Sequence, residues 1–130
     1  MSAESLATVT LVVPSYDAGI AFYIDKLGFN LVDNTDLGNG KRWVVVGPKG
    51  GANLLLAEAA NDPQLTAIGN QTGGRVFLFL YTDDFWRDYE DYRSKGVEFI
   101  REPAEMDYGT VSVFKDLYGN LWDLVEKKTD

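Results

Sequence analysis

The most informative segment of the chain is Gly74-Arg75-Val76-Phe77-Leu78-Phe79-Leu80-Tyr81-Thr82. Six consecutive apolar residues, bounded by glycines before and aspartates after, predict a β-strand. Side chains alternate between the two faces of a strand, so one face should be aliphatic and the other aromatic. The aliphatic row is Val76, Leu78 and Leu80, and the aromatic row is Phe77, Phe79 and Tyr81. The aromatic row has two interpretations: a second packing layer, or the wall of a cavity for a flat apolar ligand.

The composition limits the functions open to the chain. With 130 residues, 45% of them hydrophobic, it is typical of one soluble domain. No apolar run reaches the ~20 residues of a membrane span, and the first residues do not resemble a signal peptide. We therefore expect a cytoplasmic protein without membrane contact. The absence of cysteine excludes disulfides and thiolate metal sites.

Charge and histidine content narrow the chemistry further. Twenty acidic and twelve basic residues give a net charge of −8, which would repel nucleic acid and attract a cationic ligand. The chain contains no histidine, which is the commonest transition-metal ligand and the usual acid or base at neutral pH. Serine or cysteine triads that need a histidine are excluded.

The order of predicted elements repeats along the chain. A strand (6–13), a helix (from 15 or 17 to 27) and strands 29–32, 42–46 and 52–58 form a βαβββ unit. After a connector (59–73), with one helical turn near 63–68, the order recurs as strand 74–82, helix 84–95 and strands 97–100, 110–114 and 121–126. Helix stops at Gly28 and Gly96, and turns at Gly51 and Gly119, keep one spacing of 68 residues.

This repeat predicts the fold class. We expect an α+β protein in which two βαβββ modules form curved mixed sheets around a groove, each sheet backed by a helix. The chain (1–130) should be a single domain, with module one at about 6–58 and module two at about 74–127. The sheet faces turned away from the helices should line the groove, which favours the cavity interpretation of the aromatic row.

Three motifs resemble those of the vicinal oxygen chelate superfamily. They are Ala21-Phe22-Tyr23, Lys26-Leu27-Gly28-Phe29 and Asp116-Leu117-Tyr118-Gly119-Asn120. This superfamily includes glyoxalase I, extradiol dioxygenases, fosfomycin-modifying enzymes and bleomycin-binding proteins. The resemblance covers nearly the whole chain and implies a homodimer whose grooves use strands of both subunits. It is informative about the fold and nearly uninformative about function, because the fold hosts several chemistries.

The resemblance also implies where a metal would be held. Catalytic relatives use His or Glu residues on the first and last strands of each module. By motif, these places fall on Thr8, on Phe77 or (with a two-residue shift) Arg75, on Asn53 or (with the 68-residue spacing) Leu55, and on Asp123. Only Asp123 offers a charged oxygen, whereas a catalytic metal needs about three strong ligands. We therefore expect no metal and no other cofactor, with a divalent metal as the alternative.

Asp123 is an acid within the apolar segment 121–125. It is either a hydrogen-bonded carboxylate at a dimer contact or a groove-facing acid that pairs with a cation or acts as a base. Leu121 should share its face. Tyr108 and Trp43 should lie near the groove rim, although the sequence does not settle the face of Trp43.

These observations lead to one functional hypothesis and two rivals. We expect a metal-independent protein that sequesters a flat aromatic, cationic small molecule, as bleomycin-resistance proteins do. The expected ligand-binding residues are Thr8, Asn53, Leu55, Phe77, Phe79, Tyr81, Tyr108, Leu121 and Asp123. The first rival is a lyase, isomerase or dioxygenase of the superfamily with an altered metal site or with Asp123 as a base. The second is a dimeric accessory domain without a ligand.

Overall fold

The computed structural model describes residues 3–129, and its elements follow one order twice. The first set is β1 (Thr8–Val13), α1 (Tyr16–Ile20), a π-helical segment (Ala21–Lys26), β2 (Asn30–Gly38), β3 (Lys41–Gly47) and β4 (Asn53–Glu58). After α2 (Asp62–Ala67) come β5 (Val76–Tyr81), α3 (Phe85–Ser94), β6 (Ala104–Met106), β7 (Gly109–Lys115) and β8 (Leu121–Lys127). Among these residues, no helix is long and apolar enough to cross a membrane.

The two sheets have the same topology. The first has the strand order β1-β4-β3-β2 and the second β5-β8-β7-β6. The β1–β4 and β5–β8 pairs are parallel, and the other neighbours are antiparallel. The predicted pair of βαβββ modules is therefore confirmed. The chain folds into two compact units, and the boundary between them falls between Ile68 and Gly69.

In the first unit, one face of the sheet is buried against the helical segments. Alternate residues of three strands form this face, since side chains two apart share a side. They are Leu11, Val13, Val44, Val46, Leu54 and Leu56, all nearly inaccessible. Phe22 and the fully buried Tyr23 belong to the same core. The opposite face carries Thr8 beside Asn53 and Thr10 beside Leu55.

The second unit has an aromatic core between its sheet and α3. Phe114 and Trp122 stack on neighbouring strands, with ring centroids 5.9 Å apart. Tyr92 of α3 meets Phe114 edge-on, and Phe99 contacts the same ring. Asp84 caps α3 by accepting a hydrogen bond from the backbone N–H of Arg87 at 3.2 Å. The carboxylate of Glu126 in β8 accepts a bond from the N–H of Phe85 at 2.7 Å, which ties the start of the helix to the sheet.

A β-bulge in β5 corrects the prediction for Phe77. Val76 pairs with Leu121, but the next pair is Leu78 with Trp122, so Phe77 is an extra residue in the ladder. Its ring meets Trp122 edge-on at 6.5 Å, on the face that packs against α3. The prediction that Phe77 shares the face of Phe79 and Tyr81 is therefore wrong. Strict alternation fails at this point because a bulge shifts the parity of the strand by one residue.

Two further boundaries differ from the sequence prediction. The helix predicted to run to Leu27 widens into π-helical turns, with the N–H of Leu27 bonded to the carbonyl of Phe22 at 3.3 Å. The wider turn brings Phe22 and Leu27, five residues apart, to one buried side. The strand predicted at 97–100 makes only an isolated bridge between Phe99 and Phe114, and regular pairing with β7 resumes at β6. Pro103, which cannot donate a backbone hydrogen bond, lies in this interruption.

Candidate functional site

A cleft in the second unit lies on the sheet face opposite the α3 core. It has a volume of about 200 Å³ and is lined by Phe79, Tyr81, Tyr108, Val125 and Lys127. The three aromatic side chains are strongly exposed, at 63% for Phe79, 62% for Tyr81 and 56% for Tyr108. Exposed aromatic rings grouped around one concavity are typical of a binding surface rather than of a packed core.

The strand register brings these side chains together. Phe79 is the direct neighbour of Asp123, and Tyr81 is the neighbour of Val125, so alternate residues of β5 and β8 share this face. Tyr108 lies in the two-residue turn between β6 and β7, and its carbonyl accepts a hydrogen bond from the N–H of Lys128 at 2.9 Å. The cleft therefore has Val125 as its floor, β5 aromatics on one side and Tyr108 on the other.

Lys127 places a positive charge at one end of the cleft. Its Nζ lies 4.9 Å from the centroid of the Tyr81 ring, within the range of a cation–π interaction. The sequence analysis missed this residue. The signal was available, because Lys127 continues the alternation of Leu121, Asp123 and Val125 along β8. The predicted strand ended one residue too early.

Asp123 lies on the same sheet face as the cleft, between Phe79 and Val113 of the neighbouring strands. Burial raises the pKa of Asp123 above the usual value of an aspartate, and the charge of Arg101 lowers it in part. Among the described residues, no hydrogen bond or salt bridge engages its carboxylate. A desolvated acid of this kind can pair with a cation or accept a proton.

The remaining predicted residues of the second unit lie outside the cleft lining. Leu121 shares the face of Asp123 and is half-buried next to Val76 and Lys115. Phe77 packs towards Trp122, as described above. The structure thus brings Phe79, Tyr81 and Tyr108 together beside Asp123.

Three predicted site residues belong to the first unit. Thr8 and Asn53 are neighbours on the face opposite the helices, and Leu55 follows on the same face. The side chain of Asn53 lies over Gly47, where any added Cβ would overlap its Oδ1. Trp43 also lies on this face, because Val45 two residues later pairs with Leu55, and its side chain is 45% exposed. The face of Trp43, which the sequence left open, is thereby established.

The register also corrects the equivalence between the two modules. Thr8 pairs with Asn53, and 68 residues later Val76 pairs with Leu121, so the equivalent of Thr8 is Val76 rather than Phe77 or Arg75. Leu55 is the equivalent of Asp123, since each is the second open-face residue of its strand. The shift of one residue at Phe77 comes from the bulge.

The donor atoms at these places do not fit a divalent metal ion. Of the positions that the resemblance assigns to metal ligands, with Val76 in place of Phe77 or Arg75 as the register requires, Thr8 and Asn53 offer neutral oxygens, Val76 and Leu55 offer none, and Asp123 offers one carboxylate. Across residues 3–129, no group of three or more acidic, histidine or cysteine side chains could hold a metal. Zn²⁺ and Fe²⁺ sites need nitrogen, sulfur or several carboxylate ligands, and Mg²⁺ is also held through carboxylates.

Comparison with known proteins establishes the family. The model of the Glyoxalase/Bleomycin resistance protein/Dioxygenase superfamily matches residues 5–124, and the chain belongs to this superfamily. An uncharacterised protein of Shewanella frigidimarina (strain NCIMB 400) is 56% identical over 126 residues, which are 95% of this chain and 93% of that protein.

Two solved structures are similar over nearly their full length. The crystal structure of UcmS2 has a TM-score of 0.82 and 30% identity, covering 98% of this chain and 100% of that one. TnmS3, an antibiotic binding protein from Streptomyces sp. CB03234, has a TM-score of 0.77 and 25% identity, covering 98% of this chain and 99% of that one. The chain is therefore similar to a structure described as antibiotic binding.

Proposed function

We propose that the protein is a metal-independent binding protein that sequesters a flat aromatic, cationic small molecule. The observation that carries the proposal is the cleft in which Phe79, Tyr81 and Tyr108 expose their rings beside Asp123. The similarity to TnmS3, an antibiotic binding protein, supports it. In this proposal the family fold serves to hold a ligand rather than to transform it.

The aromatic residues supply affinity for a flat ligand. Each aromatic pair contributes ~0.5–1.5 kcal/mol beyond the area it buries. Burial of about 200 Å² of apolar surface adds roughly 5 kcal/mol. A micromolar affinity corresponds to about 8 kcal/mol, so three aromatic contacts and this burial reach that range before the cost of ordering the ligand.

Charge selects a cation. The chain has a net charge of −8, and Asp123 presents its carboxylate on the same face as the cleft. Because that carboxylate is partly desolvated, a cation that approaches it replaces lost water contacts with a charge-assisted interaction. The net charge also increases the local concentration of cations around the protein.

Calorimetric titration with 9-aminoacridine, a planar cation, tests the proposal. We expect saturable binding that Phe79→Ala weakens by roughly tenfold, since one stacking contact and its buried area are lost. Trp86→Ala is the matched control, because it removes an aromatic that is 53% exposed on α3. Binding that both variants weaken equally, or no binding to a broad panel of planar cations, would contradict the proposal.

Metal independence is tested separately. The protein is dialysed against EDTA, and its metal content is measured by elemental analysis before and after. We expect the affinity for 9-aminoacridine to be unchanged, because the donor atoms at the family's metal positions do not fit a divalent ion. Near-stoichiometric metal in the untreated protein, with loss of binding on its removal, would overturn this part of the proposal.

We also propose that the protein acts as a homodimer in the cytoplasm. The resemblance to small single-domain members of the superfamily supports the dimer. Sedimentation velocity over a range of concentrations tests the assembly, and a monomer at every concentration would contradict it. Cell fractionation tests the location.

A second candidate function is an enzyme in which Asp123 acts as a general base. The observation that favours it is the partly desolvated carboxylate, whose pKa is raised by burial and which accepts no hydrogen bond from the described residues. Turnover of a glyoxalase-type or isomerase substrate that Asp123→Asn abolishes would support this alternative. Unaltered ligand recovered after prolonged incubation would favour the binding protein.

A further inference from the structure

Two opposite charges stand on the cleft face along one strand. Asp123, Val125 and Lys127 are alternate residues of β8 and share the face of Phe79 and Tyr81. Four residues of a strand span about 13 Å, so the backbones of Asp123 and Lys127 are separated by this distance, with Val125 between them. Phe79 is the strand neighbour of Asp123, and the ammonium of Lys127 lies 4.9 Å from the centroid of the Tyr81 ring.

Within residues 3–129, neither charge is neutralised by an ion pair. Lys127 contacts the Tyr81 ring, and no salt bridge or hydrogen bond to its ammonium occurs among the residues that the structure describes. Asp123 is likewise without a salt bridge, with Arg101 as the cation whose field reaches it. A flat ligand that covers the cleft and extends along the same face to Asp123 would remove water from both groups, and a buried charge without a partner is costly.

We propose, on the basis of the function proposed above, that the ligand is amphoteric: a flat aromatic with a cationic nitrogen directed at Asp123 and an acidic oxygen directed at Lys127. A ligand that is only cationic would satisfy Asp123 and repel the ammonium of Lys127. A carboxylate or phenolate at the far end converts that repulsion into a charge-assisted contact. Lys127 is therefore a specificity-determining residue, and the cation–π contact holds its ammonium at the cleft.

A matched set of three probes tests this orientation. The probes are 6-amidino-2-naphthoate, 2-naphthamidine and 2-naphthoate, which share one planar ring system. The first carries both charges, the second only the cation and the third only the anion. We expect 6-amidino-2-naphthoate to bind roughly tenfold more tightly than 2-naphthamidine, since one partly exposed charge-assisted contact is added. The naphthoate should bind most weakly, because Asp123 and the net charge repel it.

Two variants identify the contacts. Lys127→Met keeps the length of the apolar stem and should abolish the advantage of 6-amidino-2-naphthoate over 2-naphthamidine. Asp123→Asn should lower the affinity for both amidines, whereas the affinity for 2-naphthoate should stay the same or rise. Lys128→Met is the control, because Lys128 follows β8 and is exposed without lining the cleft.

The outcomes separate the two proposals. If 2-naphthamidine binds, requires Phe79 and matches the affinity of 6-amidino-2-naphthoate, the amphoteric ligand is refuted and the proposed function stands. If the advantage of the doubly charged probe survives Lys127→Met, the assigned orientation is wrong. If none of the three probes binds while 9-aminoacridine does, the amphoteric ligand is refuted and the proposed function stands; if 9-aminoacridine also fails to bind, both proposals fail.

Discussion

In the proposed function, Asp123 contributes to ligand binding at a cost in stability. Burial favours the neutral form of its carboxyl group, so its pKa in the folded protein lies above 3.8, the ordinary value that the unfolded chain should show. The folded state therefore binds this proton more readily than the unfolded state does, and stability is lost as the pH rises through the raised pKa.

We predict that Asp123→Asn stabilises the protein at neutral pH while it weakens binding of 9-aminoacridine. The gain in stability should disappear as the pH falls towards 3.8, where the native carboxyl group is also neutral. Urea unfolding of both proteins at several pH values measures the difference. Asp25→Asn, which changes an exposed carboxylate, is the control. A stabilisation that does not depend on pH would refute the desolvation argument.

Gly47 is required because of its contact with Asn53. A Cβ at this position would overlap Oδ1 of Asn53 and approach its Cα to 3.2 Å. We predict that Gly47→Ala destabilises the fold by ~1–3 kcal/mol, since overpacking displaces the neighbouring strand residue. Gly50→Ala is the control, because nothing lies within 4 Å of the corresponding Cβ. Equal free energies of unfolding for the two variants would contradict this account.

At the scale of elements, the bulge in β5 directs two phenylalanines of one apolar run to different faces of the sheet. Phe77 is half-buried against Trp122, whereas Phe79 is exposed in the cleft. The bulge thus separates a packing residue from a residue of the proposed binding cleft within a single apolar run. Bulges commonly redirect side chains next to functional sites.

We predict opposite effects of the two truncations. Phe77→Ala should lower the free energy of unfolding by ~1–3 kcal/mol because it removes packing against Trp122, and it should leave ligand affinity nearly unchanged. Phe79→Ala should change the free energy of unfolding by no more than about 0.5 kcal/mol and should lower the affinity for the ligand. Denaturant unfolding and calorimetric titration of both variants provide the comparison. If Phe77→Ala loses affinity without losing stability, the assignment of Phe77 to the packed face is wrong.

For the whole molecule, the net charge of −8 acts on the approach of a ligand over a longer range than Asp123 alone. We predict that the association rate of 9-aminoacridine falls several-fold between about 0.02 and 0.3 M salt, because the Debye length shortens over this range. Stopped-flow fluorescence measures the rate. Acridine at a pH where it is uncharged is the control and should show no such dependence. A salt-independent rate for the cation would show that the overall charge has no part in recognition.

The duplicated architecture was predictable from the sequence for a physical reason. Helix stops and turns need glycine at positions of positive φ, and Gly28, Gly51, Gly96 and Gly119 all adopt it, so their 68-residue spacing marked the two modules. The alternation within β8 also placed Asp123 opposite the core. These are local properties, encoded by residue type and spacing.

Part of the composition of the cleft depended on strand register and on contacts between strands, which the predicted elements did not include. The bulge removed Phe77 from the aromatic row, and the end of β8 placed Lys127 over Tyr81. Strand register is set by the packing of both faces against distant residues, so one extra residue in a ladder changes which side chains meet. The family, its modules and most of the rings on the open face could thus be read from the chain, whereas the exclusion of Phe77 and the contact of Lys127 with Tyr81 became known only from the folded arrangement.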